Sequence, residues 1–287
     1  MSTPSAEDKS ELMRLGHSPD SDDAFMFYAL AEHKIDTEGF EFEHILRDIE
    51  TLNQWAREGK LEITAISVHA YAYVADKYAI LSHGASMGDN YGPMVVTREP
   101  NADVEWLRGK RIAIPGEMTS AFLALRLFLG DFEYEVVPFD QIMEAVAEGR
   151  YDAGLLIHEG QLTHGELGLH MLVDLGKWWN KETGGLPLPL GVNAVRRDLG
   201  AERMAALSRV LKASIQYSLD HRAAALQHAM QFSRGLSTET ADTFVGMYVN
   251  DWTLDMGPRG KESIRLFLQR ASQQGIIPAE VPVDFVD

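Results

Sequence analysis

The second half of this chain echoes the first, and that repetition leaves few folds open. Glu58-Gly59-Lys60-Leu61-Glu62 leads into one apolar strand, and Glu148-Gly149-Arg150-Tyr151-Asp152 leads into another at a constant offset. The elements around both junctions run in the same order: strand, polar loop, helix, strand, helix, strand. In the first unit these are Leu12 to Gly16, the loop His17 to Asp23, a helix from Ala24 to about His33, Phe40 to Leu46, a helix opened by Asp48 and stopped by Gly59, and Leu61 to Val68. In the second they are Lys110 to Pro115, the loop Gly116 to Ser120, an apolar helix Ala121 to Leu129, Glu133 to Pro138, a helix opened by Asp140 and stopped by Gly149, and the strand from Tyr151. The reading is α/β. Two similar units of this kind face each other across a cleft, each presenting a strand-to-helix loop and a strand end to a ligand.

The rest of the chain connects and covers these units. Val95-Val96-Thr97 reads as a strand leaving the first unit, Asn101 to Leu107 as a connector with a short helix, and Pro187 to Val195 as a strand returning. Leu207, Leu211 and Ile215 line one late helix, Ala223 to Phe232 forms another, Ser237 or Thr238 caps a third, and Ile264, Phe267 and Leu268 line the last. These read as packing helices of the first unit, with Tyr248 and Asn250 in reach of the cleft. The expected domains are 12–97 with 194–287, and 98–193, behind a disordered leader over 1–11. Two crossings, near 95–100 and 189–196, make a hinge suited to closing on a ligand. Binding proteins and enzymes both close in this way, so fold alone does not choose between them.

Composition narrows the partners. A chain of 287 residues with 45% hydrophobic and 24% charged content is ordinary for two globular domains. With 26 basic against 43 acidic residues the net charge is −17, which argues against nucleic acid and anionic membranes. A small anionic substrate remains compatible, because a few local donors outweigh a global field. The chain has no cysteine, hence no disulfide, thiolate ligand or cysteine nucleophile. Met1 to Glu11 has no apolar signal-peptide core, and no run approaches the roughly 20 apolar residues of a membrane span, so the expected location is cytoplasmic. Oligomeric state is left open.

The polar residues at the strand ends carry the chemistry. The run through Leu155-Leu156-Ile157 ends in His158 beside Glu159. A histidine at a strand's carboxyl end is a candidate proton carrier, or else a satisfied structural histidine. Thr119 and Ser120 open a helix, and their hydroxyls with the first backbone N–H groups would hold a carboxylate, a role compatible with simple capping by Thr119. Ser67 ends the strand that corresponds to His158, and His69, two residues on, shares its face by strand alternation. Asp20, Asp22 and Asp23 lack the glycine turn and distal glutamate of a calcium loop, so Ser21, Asp22 and Asp23 read as helix caps. His164 and His170 have no partner at metal-ligand spacing, and no metal site is expected. There is no nucleophile elbow, phosphate-binding loop or dinucleotide fingerprint.

Several segments together carry a resemblance. Asp48-Ile49-Glu50-Thr51-Leu52-Asn53, Leu155 to Glu159, Val173-Asp174-Leu175-Gly176-Lys177-Trp178-Trp179, Leu186-Pro187-Leu188-Pro189-Leu190-Gly191 and Arg196 to Gly200 resemble the 1,4-dihydroxy-6-naphthoate synthases of the futalosine route to menaquinone. The likeness runs from about Leu12 onward. It implies a periplasmic-binding-protein-like fold of type II and conversion of cyclic dehypoxanthine futalosine to 1,4-dihydroxy-6-naphthoate, with release of a sugar-derived fragment. It implies no cofactor. On this resemblance His158 falls on the proton acceptor, Thr119 and Ser120 on a substrate-contacting Thr-Thr pair, and Ser67 on a contacting serine. Ala65, Ile66, Ser18, Asp23 and Glu159 complete the candidate contacts, and Glu159 or a backbone carbonyl would orient the His158 ring. The family pattern Ser-Pro-Cys-Pro-Asn-Asp-Thr-Phe reads here Ser18-Pro19-Asp20-Ser21-Asp22-Asp23-Ala24-Phe25. Ala65 stands where some members carry lysine, and His69 where a small residue is usual. Alternatives are a non-catalytic solute-binding protein, a diverged member acting on another small aromatic or carboxylic acid, and a relative of the chorismate dehydratases, which the His-Glu strand end fits less well.

Overall fold

A computed structural model describes residues 10–233 and 235–287. The expected leader lies outside the described residues except for Ser10 and Glu11, and Glu11 already opens the first strand. Two sheets organise the chain. The first holds β1 (Glu11–His17), β2 (Phe40–Leu46), β3 (Ile63–Ser67), β4 (Tyr78–Leu81) and β5 (Ser86–Gly88). The second holds β6 (Met94–Thr97), β7 (Ile112–Ile114), β8 (Tyr134–Val136), β9 (Ala153–Leu156) and β10 (His170–Asp174). The chain returns to the first sheet as β11 (Leu188–Arg196) and ends there as β12 (Phe285–Val286).

The internal echo extends to topology. The first sheet runs β2-β1-β3-β11-β4 and the second β8-β7-β9-β6-β10. In each, the first three strands are parallel. The next is antiparallel and belongs to the segment that has just crossed over. β6 therefore joins the sheet it enters, because Met94, Val95 and Val96 are buried and both strand edges are paired, with β9 and with β10. Sheet membership changes between Gly88 and Met94 and between Asp174 and Leu188, ahead of the expected crossing points.

The two crossing segments touch backbone to backbone. A Cβ on Gly176 would lie 1.8 Å from the carbonyl oxygen of Tyr91, so only glycine fits there. Leu175 N–H donates to the Pro93 carbonyl at 2.9 Å. Asp174 caps the Leu175–Thr183 helix by accepting from the N–H groups of Gly176 and Lys177. Trp179 on that helix is fully buried, donates to Ser263 Oγ at 3.0 Å and meets Phe267 edge to face. The last long helix, Gly257–Gln273, thus packs on the crossing as well as on the first sheet. Leu207, Leu211 and Ile215 of the Ala201–Asp220 helix close the other core against Leu15 and Phe25.

Local signals place most helices. Asp48 caps Ile49–Glu58, and Gly59 ends it in the left-handed conformation, as expected. Two expected caps differ. Asp20, rather than Ser21, Asp22 or Asp23, caps a helix that starts at Ser21, because its side chain accepts from Asp23 N–H and shortens the loop. Asp140 lies inside a 3-10 turn, Phe139–Gln141, and provides no side-chain cap to Ile142–Ala147. β4, β5, β10 and β12 were not expected. Among the described residues, no helix is long and apolar enough to cross a membrane.

At the ends of β1 and β2, His17 Nε2 and His44 Nδ1 lie 3.0 Å apart. Burial, with His44 beside it, pushes His17 down to about 3; burial, with His228 and His33 beyond, pushes His44 down to about 4. Both rings stay neutral in the folded chain, whereas the unfolded chain takes up protons near pH 6.5. Their contribution is therefore full above pH 6.5 and lost as pH falls toward 4. Unfolding free energies from urea titrations between pH 6.5 and 4.5 should fall more steeply for the wild type than for His17→Asn/His44→Asn, by about 1 kcal/mol per pH unit per histidine. Identical slopes would contradict this.

Candidate active site

A cavity of about 120 Å³ opens between the sheets, at the carboxyl ends of β1, β3, β7 and β9. One wall is the loop after β1, with Ser18, Asp20, Asp22 and Asp23, together with Ala65, Ile66 and Ser67 of β3. The facing wall is Thr119 and Ser120 at the start of the Ser120–Leu129 helix, with Ile157 and His158 after β9. Leu190 to Asn193 of β11 and the rings of Phe244 and Tyr248 complete it. Of the nine candidate residues, Ser18, Asp23, Ala65, Ile66, Ser67, Thr119, Ser120 and His158 line this cavity, and Glu159 does not.

β9 ends at Leu156, two residues before His158, and the chain turns there. His158 has φ of +57°, a conformation few non-glycine residues adopt. Phe139 meets its ring edge to face at 4.7 Å. Nδ1 lies 3.2 Å from Oδ2 of Asp20, a carboxylate from the opposite wall. Nε2 is buried with no hydrogen-bond partner.

The acidic loop is knitted to itself. Asp23 Oδ2 accepts from Ser18 N–H at 2.7 Å, and Asp20 Oδ1 accepts from Asp23 N–H at 3.4 Å. Burial, then the charge of Asp20, pushes the carboxyls of Asp22 and Asp23 well above the usual range, and Asp22 is hydrogen-bonded to Asp20. The three carboxylates lie within 4.8 Å of one another, and among the described residues they are the group whose spacing suits a divalent ion.

The opposite helix end differs in detail from expectation. Thr119 Oγ1 accepts from Phe122 N–H at 3.1 Å and donates to the Gly116 carbonyl at 2.9 Å. Ser120 Oγ donates to the Leu190 carbonyl at 2.5 Å. Both hydroxyl protons are thus engaged by backbone. The donors left for a ligand are the N–H groups of Ser120 and Ala121, in the first turn of a ten-residue helix, where no intrahelical acceptor exists.

Ser67 is held by a residue the sequence reading overlooked. Asn53 is fully buried; its Oδ1 accepts from Ser67 N–H at 2.8 Å and its Nδ2 donates to Ser67 Oγ at 3.1 Å. The available signal was a polar residue on the helix face that also carries Leu52 and Ala56. His69 is not on a strand face, because β3 stops at Ser67 and the Val68–Tyr71 helix begins. Its Nδ1 sits 3.3 Å from the Thr119 carbonyl, burial pushes it down to about 4, and it lies outside the cavity lining. Tyr248 lines the cavity and donates to Gln161 Oε1 at 2.8 Å; Asn250 instead caps the Asp251–Leu254 helix.

The sequence pattern described as menaquinone biosynthesis matches residues 13–273. A protein of Thermus thermophilus named 1,4-dihydroxy-6-naphthoate synthase is 40% identical over 266 residues, covering 93% of this chain and 96% of its own. A Streptomyces coelicolor protein of the same name is 37% identical over 279 residues, covering 95% and 97%. A crystal structure from Archaeoglobus fulgidus is 47% identical with a TM-score of 0.88, covering 93% of this chain and 98% of its own. The alkanesulfonate-binding protein of Xanthomonas axonopodis pv. citri, bound to MOPS, is 15% identical with a TM-score of 0.70 over 95% of this chain and 96% of its own. That last likeness is of fold alone, and the fold is periplasmic-binding-protein-like, as expected. Taken with matches of this extent to the sequence pattern and to the two synthases, the chain belongs to the menaquinone biosynthesis family.

Proposed function

We propose that this protein converts cyclic dehypoxanthine futalosine to 1,4-dihydroxy-6-naphthoate, a carbon–carbon lyase step of menaquinone biosynthesis in the cytoplasm, with His158 as general base. The names and coverage of the two synthases support the reaction. The observation that carries the assignment of roles is the cavity itself. It presents a buried, unpartnered imidazole nitrogen and a helix N-terminus with free N–H groups.

The substrate class is a small molecule bearing a carboxylate. Its carboxylate would take the N–H groups of Ser120 and Ala121, where the helix dipole favours negative charge. Asn53 fixes Ser67 on the facing wall, and Ser18 Oγ, buried with no partner, is a further hydrogen-bonding group for the polar edge of the substrate. His158 Nε2 removes a proton from the bound molecule, the carbon–carbon bond breaks, and the imidazolium returns the proton to the departing sugar-derived fragment. In this reading the two lobes, one built on each sheet, close about the contact between Gly176 and Tyr91. A second reading, the same chemistry on another small aromatic acid, is favoured by Asp20 and Asp22 standing where the family pattern has cysteine and asparagine.

Incubating the protein with cyclic dehypoxanthine futalosine should yield 1,4-dihydroxy-6-naphthoate by mass spectrometry. Its kcat should drop roughly 10²–10⁴-fold in His158→Asn. A folded His158→Asn protein with normal turnover sinks the base assignment, and an inactive wild type favours the second reading. For the carboxylate site, Ser120→Pro removes an N–H at a helix position that tolerates proline, whereas Ser120→Ala keeps it. KM should rise about 10- to 100-fold more in Ser120→Pro than in Ser120→Ala, the value of a hydrogen bond to a charged group. Equal KM values would place the carboxylate elsewhere.

A further inference from the structure

We propose that Asp20 is a positioning residue for His158: it accepts the Nδ1 proton from across the cavity and so leaves Nε2 as the unprotonated nitrogen facing the ligand. The inference rests on the reading of His158 as the base. It begins from the 3.2 Å separation between Nδ1 and Asp20 Oδ2. Asp20 is only 2% exposed, and a buried carboxylate needs donors around it. The donors converge on it. Asp23 N–H reaches Oδ1, and Asp22 shares a side-chain hydrogen bond. Burial and the charge of Asp20 favour the protonated forms of Asp22 and Asp23.

The histidine side is equally constrained. Its left-handed backbone is a strained conformation for a β-carbon residue, one that persists only where the surroundings hold it. Phe139 holds one edge of the ring and Asp20 holds Nδ1. A neutral imidazole carries one proton, so an acceptor at Nδ1 fixes the tautomer and makes Nε2 the base. When Nε2 takes the substrate proton, the ring becomes an imidazolium and its bond to Asp20 becomes charge-assisted. When the proton leaves with the product fragment, the ring returns to the same neutral tautomer.

The two partners also belong to different sheets. Asp20 follows β1 and His158 follows β9, corresponding regions of the two units. The oriented base exists only when the two strand ends face each other, which ties closure of the cavity to its chemistry.

Asp20→Asn is the discriminating variant, because asparagine caps the Ser21–Met26 helix as well as aspartate does while losing the charge. Imidazole ¹⁵N NMR of substrate-free protein, with His158 assigned by its loss in His158→Gln, reads the tautomer directly. The wild type should show protonated Nδ1 and bare Nε2, and Asp20→Asn a mixed or reversed tautomer. In turnover, kcat should fall roughly 10²–10⁴-fold in Asp20→Asn with KM little changed, and Asp20→Glu should recover part of it. A wild-type His158 protonated on Nε2, or an unaltered tautomer in Asp20→Asn, overturns the proposal. The tautomer measurement decides this even where the protein makes no naphthoate, which would count against the reaction and not against Asp20.

Discussion

The contact of Gly176 with the carbonyl of Tyr91 fixes where the two sheets can stand. The strands on either side of it, β5 to β6 and β10 toward β11, are the chain's passages between sheets. A side chain of any size at position 176 would drive these passages apart. With them together, the carboxyl ends of β1 and β3 face those of β7 and β9. The two α/β units are alike in strand order, so what each contributes to the cavity is alike in position and different in chemistry. The loop after β1 brings carboxylates, while the loop after β7 brings a helix end with free N–H groups. β3 brings a serine, while the turn after β9 brings a histidine.

That division explains how a strongly acidic protein can hold an anion. The net charge of −17 is spread over the whole chain, whereas the cavity is governed by what lies within a few ångströms. Two of the three carboxylates in the wall are biased toward their neutral forms by burial and by the third. The opposite wall offers the positive end of a helix dipole. The acidic loop therefore repels an anion less than its sequence suggests, and Asp20 lies against an imidazole.

Much of this was legible in the chain, for physical reasons that can be named. The periodicities of Phe40–Leu46 and Ile49–Glu58 and the Asp48 and Gly59 caps are local, so the sequence carried them outright. The repeated order of elements carried the two-unit architecture, and strand ends followed by loops carried Ser67, Thr119 and His158. What was missed depends on distance in the sequence. Asp20, whose carboxylate meets the His158 ring, lies more than a hundred residues away in the chain. Asn53 acts through a backbone N–H on another element, and Gln161 through Tyr248 from a distant helix. The hydroxyl protons of Thr119 and Ser120 turn to carbonyls that only the folded chain brings near. His69 was misread because a strand was extended two residues past its end, which moves a side chain to the wrong face.

A crystal structure of the protein soaked with 1,4-dihydroxy-6-naphthoate tests the central claim, that one cavity pairs an anion-holding helix end with a facing base. The account predicts the product carboxylate about 2.7–3.1 Å from the backbone nitrogens of Ser120 and Ala121, with the aromatic ring between that helix end and His158 Nε2. A carboxylate seated against the Asp20 to Asp23 loop, or a ligand bound outside the cavity, would contradict it.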